Sequence, residues 1–263
     1  MTRLADITHL VIDMDGVLYV GDEPLPCLAE FIAFLRRNLT GFMLATNNST
    51  LSPRQYAAKL ARMGVEIAPA EILTSGTATA YFLGQQYPAG TRVHVFGEDP
   101  VREAMVEQGF VLADDAAEVV VATMDRQITY DKMKRAALLI RGGARVFATN
   151  LDPTRPTEEG LVPGTGAMVA AIEVGSGVKP IAIGKPEPTM YEIALARMGA
   201  RPETTAALGD RLDTDILGGE RAGLSTIMVL SGATTRAEAE AWGPNYIFDD
   251  IAALWAAWER EVA

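Results

Sequence analysis

Short apolar runs alternate along this chain with segments whose apolar residues recur at helical spacing. His9–Ile12 and Phe42–Ala45 are typical of buried strands, and the segment Leu28–Arg37 between them has one apolar helical face. A further helix is predicted over Pro53–Met63, with a proline at its start and a glycine just past its end. This strand–helix order predicts an α/β fold in which helices cover both faces of a parallel sheet.

Later parts of the chain repeat the pattern. The predicted strands are Ile181–Ile183, Thr205–Leu208 and Thr226–Leu230 in the last third, and Val93–Phe96, Val119–Ala122 and Arg145–Ala148 in the middle, where a helix is predicted over Asp131–Ile140. The middle segment either continues the first sheet or forms an α/β unit inserted into it, and composition does not decide. Turn-rich stretches at 86–91 and 174–180 are candidate boundaries.

Composition narrows the classes of function. The chain of 263 residues has a formal net charge of -11, which disfavours nucleic acid as a partner but still permits a small anionic substrate beside a metal ion. Its single cysteine, Cys27, cannot form an internal disulfide, and a thiol nucleophile lacks a suitable histidine because His9 and His94 lie in strand-like runs. No signal-peptide pattern is visible, and no apolar run approaches the roughly 18 residues of a membrane helix. A cytoplasmic protein without a membrane or nucleic-acid partner is therefore expected.

The strongest chemical signal is the sequence Asp13-Met-Asp15-Gly16, directly after the first strand. Ligands of open α/β sheets bind at the carboxyl ends of the strands, where both aspartates are expected. Two carboxylates this close repel each other, and a bound cation relieves the repulsion. The alternative is an ordinary polar turn at a strand end.

Three other predicted strand ends have groups that suit a phosphate site. Thr46–Ser49 offers a hydroxyl and backbone N–H groups, Lys185 offers positive charge, and Asp210–Asp215 offers carboxylates for a hard cation such as Mg²⁺. Each group alone is compatible with a loop, a surface lysine or a polar turn that caps a helix beginning at Thr214. Together, at four strand ends of one apparent parallel sheet, they predict a site that handles phosphate.

These residues resemble a known set of motifs. The pattern of motifs one to four of the haloacid dehalogenase superfamily is found in Asp13-x-Asp15-Gly16, Thr46-Asn47-Asn48, Lys185 and Gly209-Asp210-x-x-x-x-Asp215. The segments 184–188, 209–216, 148–152 and 163–166 are similar to the subfamily of p-nitrophenyl, phosphoglycolate, pyridoxal phosphate and NagD-type phosphatases. The resemblance covers essentially the whole chain, with small departures at Met14 and Cys27.

The resemblance implies a doubly wound parallel sheet in a Rossmann-like core, with a smaller α/β cap domain inserted into it. Only about 30 residues separate Asp15 from Thr46, too few for an inserted domain beside a strand and crossover helix. About 140 residues separate Thr46 from Lys185, which leaves room for a domain of roughly 100. We therefore expect a cap of the C2 type at 79–179 and a core at 1–78 and 180–263, the cap closing over the pocket and selecting the leaving group.

The resemblance also implies a function and a role for each residue. The expected enzyme is a Mg²⁺-dependent phosphatase that hydrolyses small phosphate monoesters, of the sugar phosphate, nucleoside monophosphate, phosphoglycolate or p-nitrophenyl phosphate type, through an aspartyl-phosphate. The implied roles are Asp13 as nucleophile, Asp15 as general acid–base, Asp13, Asp15 (main chain) and Asp210 as metal ligands, Thr46, Asn47 and Lys185 as phosphate ligands, and Asp215 as the group that orients Lys185 or the metal ligands. The expected contacts to the leaving group are Asn48 and, in a loop after the predicted strand Arg145–Ala148, Asp152 and Arg155. A small phosphorylated metabolite is the expected partner, and relatives of this type imply a homodimer.

Other interpretations are weighed against this one. A phospho-acceptor signalling domain would need neither Asp15 nor a long insertion, and a dehalogenase would need neither Asp15 nor a metal. A catalytically silent binding protein on a similar fold would not need the complete set of charged groups. A dinucleotide-dependent enzyme lacks the expected glycine fingerprint after the first strand. The sequence does not identify the physiological substrate.

Overall fold

The computed structural model describes residues 2–157 and 159–262. It divides into two compact units. The first unit comprises Met1–Thr46, Pro53–Leu73 and Lys185–Ala263, and the second comprises Asn47–Ser52 and Thr74–Gly184. The boundaries predicted at 78/79 and 179/180 lie about five residues from those at 73/74 and 184/185, and residues 47–52, expected in the core, belong to the second unit. The turn-rich stretches at 86–91 and 174–180 both lie inside the second unit. That the second unit acts as a cap stays a prediction.

The secondary structure alternates strands and helices throughout the described residues. The strands are β1 (His9–Ile12), β2 (Tyr19–Val20), β3 (Glu23–Pro24), β4 (Gly41–Thr46), β5 (Ile72–Thr74), β6 (Arg92–Phe96), β7 (Val111–Leu112), β8 (Val119–Ala122), β9 (Arg145–Ala148), β10 (Thr154–Thr157), β11 (Gly160–Pro163), β12 (Ile181–Ala182), β13 (Thr205–Gly209), β14 (Ser225–Val229) and β15 (Tyr246–Phe248). The α-helices are α1 (Leu28–Asn38), α2 (Pro53–Arg62), α3 (Ser75–Gly84), α4 (Asp99–Glu107), α5 (Tyr130–Arg141), α6 (Thr165–Ser176), α7 (Pro188–Met198), α8 (Leu217–Arg221), α9 (Arg236–Trp242) and α10 (Ile251–Val262).

The first unit is built on a sheet in which six described strands follow the order β15-β14-β13-β1-β4-β5. The pairings of β1 with β13 and β4, and of β14 with β13 and β15, are parallel. All four residues of β1 are buried, as expected for a central strand covered on both faces. Ile12 is in register with both Leu208 and Leu44, so the residues that follow these three strands emerge side by side at one edge of the sheet.

Helices complete the core of the first unit. Trp258 of α10 is 1% exposed and packs edge-to-face on Phe34 of α1, with ring centroids 5.9 Å apart. Cys27 precedes α1 with a left-handed φ of 64° and is exposed.

The second unit contains a separate sheet, in which five described strands follow the order β12-β9-β8-β6-β7 and pair in parallel. The prediction that Ile181–Ile183 belongs to the sheet that contains Asp13 was wrong, because β12 pairs with β9 instead. An apolar run indicates a buried strand but does not specify the strand beside it. The prediction of a loop around Arg155 was also wrong, since this residue lies in the antiparallel hairpin of β10 and β11. No helix of the described residues is long and apolar enough to span a bilayer.

Candidate active site

The predicted aspartates Asp13 and Asp15 lie just past the end of β1. The N–H of Asp13 donates to the carbonyl of Leu208 on β13, 2.8 Å away, which extends the strand pairing up to the first aspartate. Gly16 then turns the chain with a φ of 83°, a conformation that a residue with a side chain rarely adopts. A Cβ at this position would also lie 2.5 Å from Oδ2 of Asp210, so glycine is required by both backbone and space.

Lys185 is the centre of a buried ionic cluster in the first unit. Its Nζ lies 2.6 Å from Oδ1 of Asp13 and 2.6 Å from Oδ1 of Asp215, and it donates to the carbonyl of Ala45 at 3.0 Å. Burial opposes its charge, but the two carboxylates outweigh this effect and raise the pKa of Lys185 well above its ordinary value. The lysine is therefore a fixed positive charge beside the predicted nucleophile.

Burial also disfavours the charged form of Asp13. It raises the pKa of the Asp13 carboxyl well above its ordinary value, and the attraction of Lys185 offsets only part of that rise because Asp215 and Asp210 repel a further negative charge. Oxygen atoms of Asp13, Asp210 and Asp215 lie within 4.8 Å of one another. Three carboxylates around one lysine leave an excess of negative charge that a divalent cation would neutralise.

Asp210 follows β13 and is 4% exposed. Its Oδ2 accepts the N–H of Ala233 at 2.8 Å, whereas its buried Oδ1 has no hydrogen-bond partner among the described residues. Burial, with repulsion from Asp215, raises the pKa of Asp210 to about 7. A buried carboxylate oxygen left without a donor fits a hard metal ion such as Mg²⁺, which prefers oxygen ligands.

Asp215 has a different environment, although it belongs to the same cluster. Its Oδ1 is bonded to Lys185 and its Oδ2 accepts the N–H of Arg211 at 3.1 Å. Its main-chain carbonyl accepts the hydroxyl of Tyr191 at 2.9 Å. With both oxygens engaged, Asp215 is suited to orient Lys185. The helix predicted to begin at Thr214 starts instead as a π-helical turn over Leu212–Ile216, followed by α8.

Asp15 differs from the cluster because its side chain is exposed at the sheet edge. It forms an isolated bridge with Tyr19, at the start of the hairpin of β2 and β3. Neighbouring groups still remove part of its water and raise the pKa of Asp15, while the charge of Lys59 and the N–H of Gly21 offset part of this rise. An accessible carboxyl with a raised pKa is suited to donate and accept protons.

Thr46, the predicted phosphate ligand at the end of β4, is 5% exposed and hydrogen-bonded to the hydroxyl of Tyr56 on α2. Sequence analysis did not identify Tyr56 or its neighbour Lys59. Both lie on the helix that follows the Thr46 loop, three residues apart and therefore on one helical face, a spacing that is found on any amphipathic helix and does not identify them as functional.

The remaining predicted residues belong to the second unit. Nδ2 of Asn47 donates to both carboxylate oxygens of Asp152, at 3.2 and 3.1 Å. The main-chain carbonyl of Asn47 accepts Nδ2 of Asn150 at 2.8 Å. Asn48 is exposed, and its Oδ1 accepts hydrogen bonds from the N–H and hydroxyl of Thr50. Asn47 and Asp152 are thus brought together, and the contacts of Asn48, Asp152 and Arg155 with a leaving group stay predictions.

Comparison with known proteins identifies the family of this chain. Residues 10–111 match the family model described as haloacid dehalogenase-like hydrolase, and residues 182–254 match a second model of HAD-like hydrolases. A dihydroxyacetone phosphatase of Corynebacterium glutamicum is 41% identical, over 97% of this chain and 92% of its own. The chain therefore belongs to the haloacid dehalogenase-like hydrolases, as predicted from the motifs.

Solved structures narrow the comparison within this family. A 4-nitrophenylphosphatase of Thermotoga maritima is 34% identical with a TM-score of 0.91, covering 95% of this chain and 97% of its own. A glycerol phosphate phosphatase of Mycobacterium tuberculosis, solved in complex with magnesium, is 33% identical with a TM-score of 0.87, covering 97% of this chain and 78% of its own. These relatives confirm the predicted fold class and the predicted enzyme class, a phosphatase.

Proposed function

We propose that this phosphatase hydrolyses small phosphorylated metabolites by a Mg²⁺-dependent reaction that passes through an aspartyl-phosphate on Asp13. One observation carries the proposal: Oδ1 of Asp13 lies 2.6 Å from the buried ammonium of Lys185, at the sheet edge where Asp210 and Thr46 also emerge. A carboxylate held by a fixed cation is suited to approach an anionic phosphoryl group.

In the first step, a carboxylate oxygen of Asp13 forms a bond to phosphorus as the bond to the ester oxygen breaks. The electron pair of that bond leaves with the ester oxygen, and the carboxyl proton of Asp15 is transferred to it. Lys185 and the hydroxyl of Thr46 are expected to bind the phosphoryl oxygens, together with the backbone N–H of Asn47.

In the second step, water attacks phosphorus and displaces the carboxylate of Asp13 as inorganic phosphate forms. Asp15, now a carboxylate, accepts a proton from that water and so returns to its starting state. Because the displacement is split into two steps, the enzyme itself supplies the nucleophile, Asp13, and the group that carries the proton, Asp15.

The residues present fit a divalent cation, since Oδ1 of Asp210 is buried without a hydrogen-bond donor. Asp13 and Asp210 would hold Mg²⁺ through their carboxylates and Asp15 through its main-chain carbonyl. The cation would neutralise charge on the phosphoryl oxygens and reduce the repulsion between two anions. Asp215 keeps Lys185 in place, because the ammonium of Lys185 donates a hydrogen bond to Oδ1 of Asp215.

The proposed substrate class is supported by the names of the relatives and not by the shape of the pocket. Two of them are named for dihydroxyacetone phosphate and glycerol phosphate, both small polar esters. We propose that the second unit acts as the cap over the ester group, with Asn48, Asp152 and Arg155 as its contacts, and that the enzyme works as a cytoplasmic homodimer.

The test is phosphate release from p-nitrophenyl phosphate and from dihydroxyacetone phosphate, with saturating Mg²⁺ or with a chelator, for the wild type and Asp13→Asn. A matched control is Asp213→Asn, because Asp213 is an exposed carboxylate of the same loop as Asp210, paired with Arg211. We expect turnover that needs Mg²⁺, disappears in Asp13→Asn and persists in Asp213→Asn. Turnover that survives Asp13→Asn would exclude the covalent mechanism.

A further inference from the structure

The ammonium group of Lys59 on α2 makes three contacts with one neighbouring segment. Its Nζ donates to the carbonyl of Gly21 at 2.6 Å, lies 3.2 Å from Oδ1 of Asp22 and lies 4.2 Å from the centre of the Tyr19 ring. Its side chain is only 15% exposed. All three partners belong to the hairpin of β2 and β3, so this ammonium ties that hairpin to α2.

The same hairpin holds the predicted proton donor. Asp15 forms its bridge with Tyr19, and the N–H of Gly16 donates to the carbonyl of Tyr19 at 2.8 Å. The backbone of Gly21 also favours the charged form of Asp15 and so lowers the pKa of that carboxyl. Tyr19 is therefore the residue of this hairpin that meets both Asp15 and Lys59.

Gly21 has a φ of 59°, and apart from its two chain neighbours no heavy atom lies within 4 Å of the place a Cβ would take. A cavity of about 390 Å³ adjoins Lys59 and is lined also by Asp22, Arg62 and Met63. The hairpin thus has space to move if the contact with Lys59 is lost.

We propose that Lys59 is a positioning residue for Asp15: by holding Gly21 and Tyr19, it keeps the Asp15 carboxyl where it can protonate the leaving oxygen. The inference rests on the proposed function, because it assigns Lys59 a part in that reaction. A proton donor must lie within hydrogen-bond reach of the oxygen it protonates, so a displaced hairpin would weaken proton transfer in particular. Lys59 itself touches neither phosphate nor metal in this scheme.

The proposal makes the effect of Lys59 depend on the leaving group. Phenolate is a basic leaving group, with a pKa of about 10 like that of tyrosine, and benefits from protonation. The nitro group makes p-nitrophenolate far less basic, so its departure needs little help from an acid. The two esters otherwise share one shape, and kcat/KM reports the step in which the ester bond breaks.

The experiment measures kcat/KM for phenyl phosphate and p-nitrophenyl phosphate with saturating Mg²⁺ in the wild type, Lys59→Met and Lys59→Arg. For Lys59→Met we expect a fall of about tenfold or more with phenyl phosphate, a part of the 10²–10⁴-fold that acid–base catalysis supplies, and a fall below about threefold with p-nitrophenyl phosphate. Lys59→Arg should restore much of the loss because it keeps the charge. Arg62→Met is the matched control, since Arg62 is an exposed cation on the same helix and the same cavity.

Circular dichroism confirms the fold of each variant, and Lys59→Gln replaces Lys59→Met if the latter does not fold. Equal losses with both esters, or no loss with either, would overturn the role of Lys59 while leaving the phosphatase intact. A wild type that hydrolyses neither ester, with an equally inactive Asp13→Asn, would instead refute the proposed function itself.

Discussion

Replacing Asp210 by asparagine should make the metal-free protein more stable, and more so at alkaline than at acidic pH. The side chain is 4% exposed, and its Oδ1 has no hydrogen-bond partner among the described residues. Asparagine keeps the shape and the acceptor for the N–H of Ala233 but carries no charge. The substitution therefore removes a buried charge without removing its one donor contact.

The size of the effect follows from the pKa of Asp210, which burial raises from 3.8 to about 7. The unfolded chain loses this proton near pH 4, whereas the folded chain keeps it until about pH 7. Ionisation therefore costs the native state up to about 1.4 kcal/mol for each pH unit in that window, or about 4 kcal/mol in all. The cost is absent below the unfolded pKa and complete above the folded one.

Urea unfolding in the presence of a chelator, at pH 5 and pH 8, measures this directly. The stability gained by Asp210→Asn should be about 3 kcal/mol larger at pH 8 than at pH 5, because two pH units of the window separate them. Mg²⁺ at one hundred times its Kd should then stabilise the wild type by about 2.7 kcal/mol and the variant by little. A gain that is the same at both pH values would refute the assignment of Asp210 as a buried, unneutralised carboxylate.

Three further outcomes are expected. Lys185→Met should abolish turnover and lower the free energy of unfolding by about 3–5 kcal/mol, measured in urea, because it leaves buried carboxylates without their cation. Trp258→Ala should lower the free energy of unfolding by about 3–5 kcal/mol, since this side chain is 1% exposed. Trp242 is 43% exposed, so Trp242→Ala should change the free energy of unfolding by less than about 1 kcal/mol. Similar losses in the two variants would contradict the packing described. Gly16→Ala should weaken Mg²⁺ binding about tenfold or more in calorimetry, because its φ is strained and its Cβ would strike Asp210, and an unchanged Kd would count against that geometry.

The sequence predicted best the elements whose own residues determine them. The run His9–Ile12 forms β1 with the predicted ends, because its three consecutive apolar residues, Leu10 to Ile12, suit a strand buried on both faces. The run Ile181–Ile183 was recognised as a strand but assigned to the wrong sheet, since its pairing with β9 depends on the fold of the whole second unit. The hairpin of β2 and β3 was missed, because two-residue strands are too short for a periodic pattern.

The residues of the candidate site likewise include some that the sequence predicted and some that it missed. Asp13, Lys185 and Asp215 follow recognisable motifs, and the structure brings them within hydrogen-bond distance of one another through Lys185. Tyr56 and Lys59 follow no motif and resemble ordinary residues of an amphipathic helix. Their contacts with Thr46 and with the hairpin depend on how α2 packs, which a single sequence does not specify.

The position of β13 beside β1 has a consequence for folding during synthesis. At roughly 5–20 residues per second, the 163 residues from Thr46 to Gly209 take about 8–30 s to emerge from the ribosome. During that interval β1 and β4 can pair with each other, but the edge of β1 that β13 will occupy stays open to strands of other chains. The nascent chain is therefore most prone to aggregate before its last third is made, and it is at this stage that a chaperone would protect it.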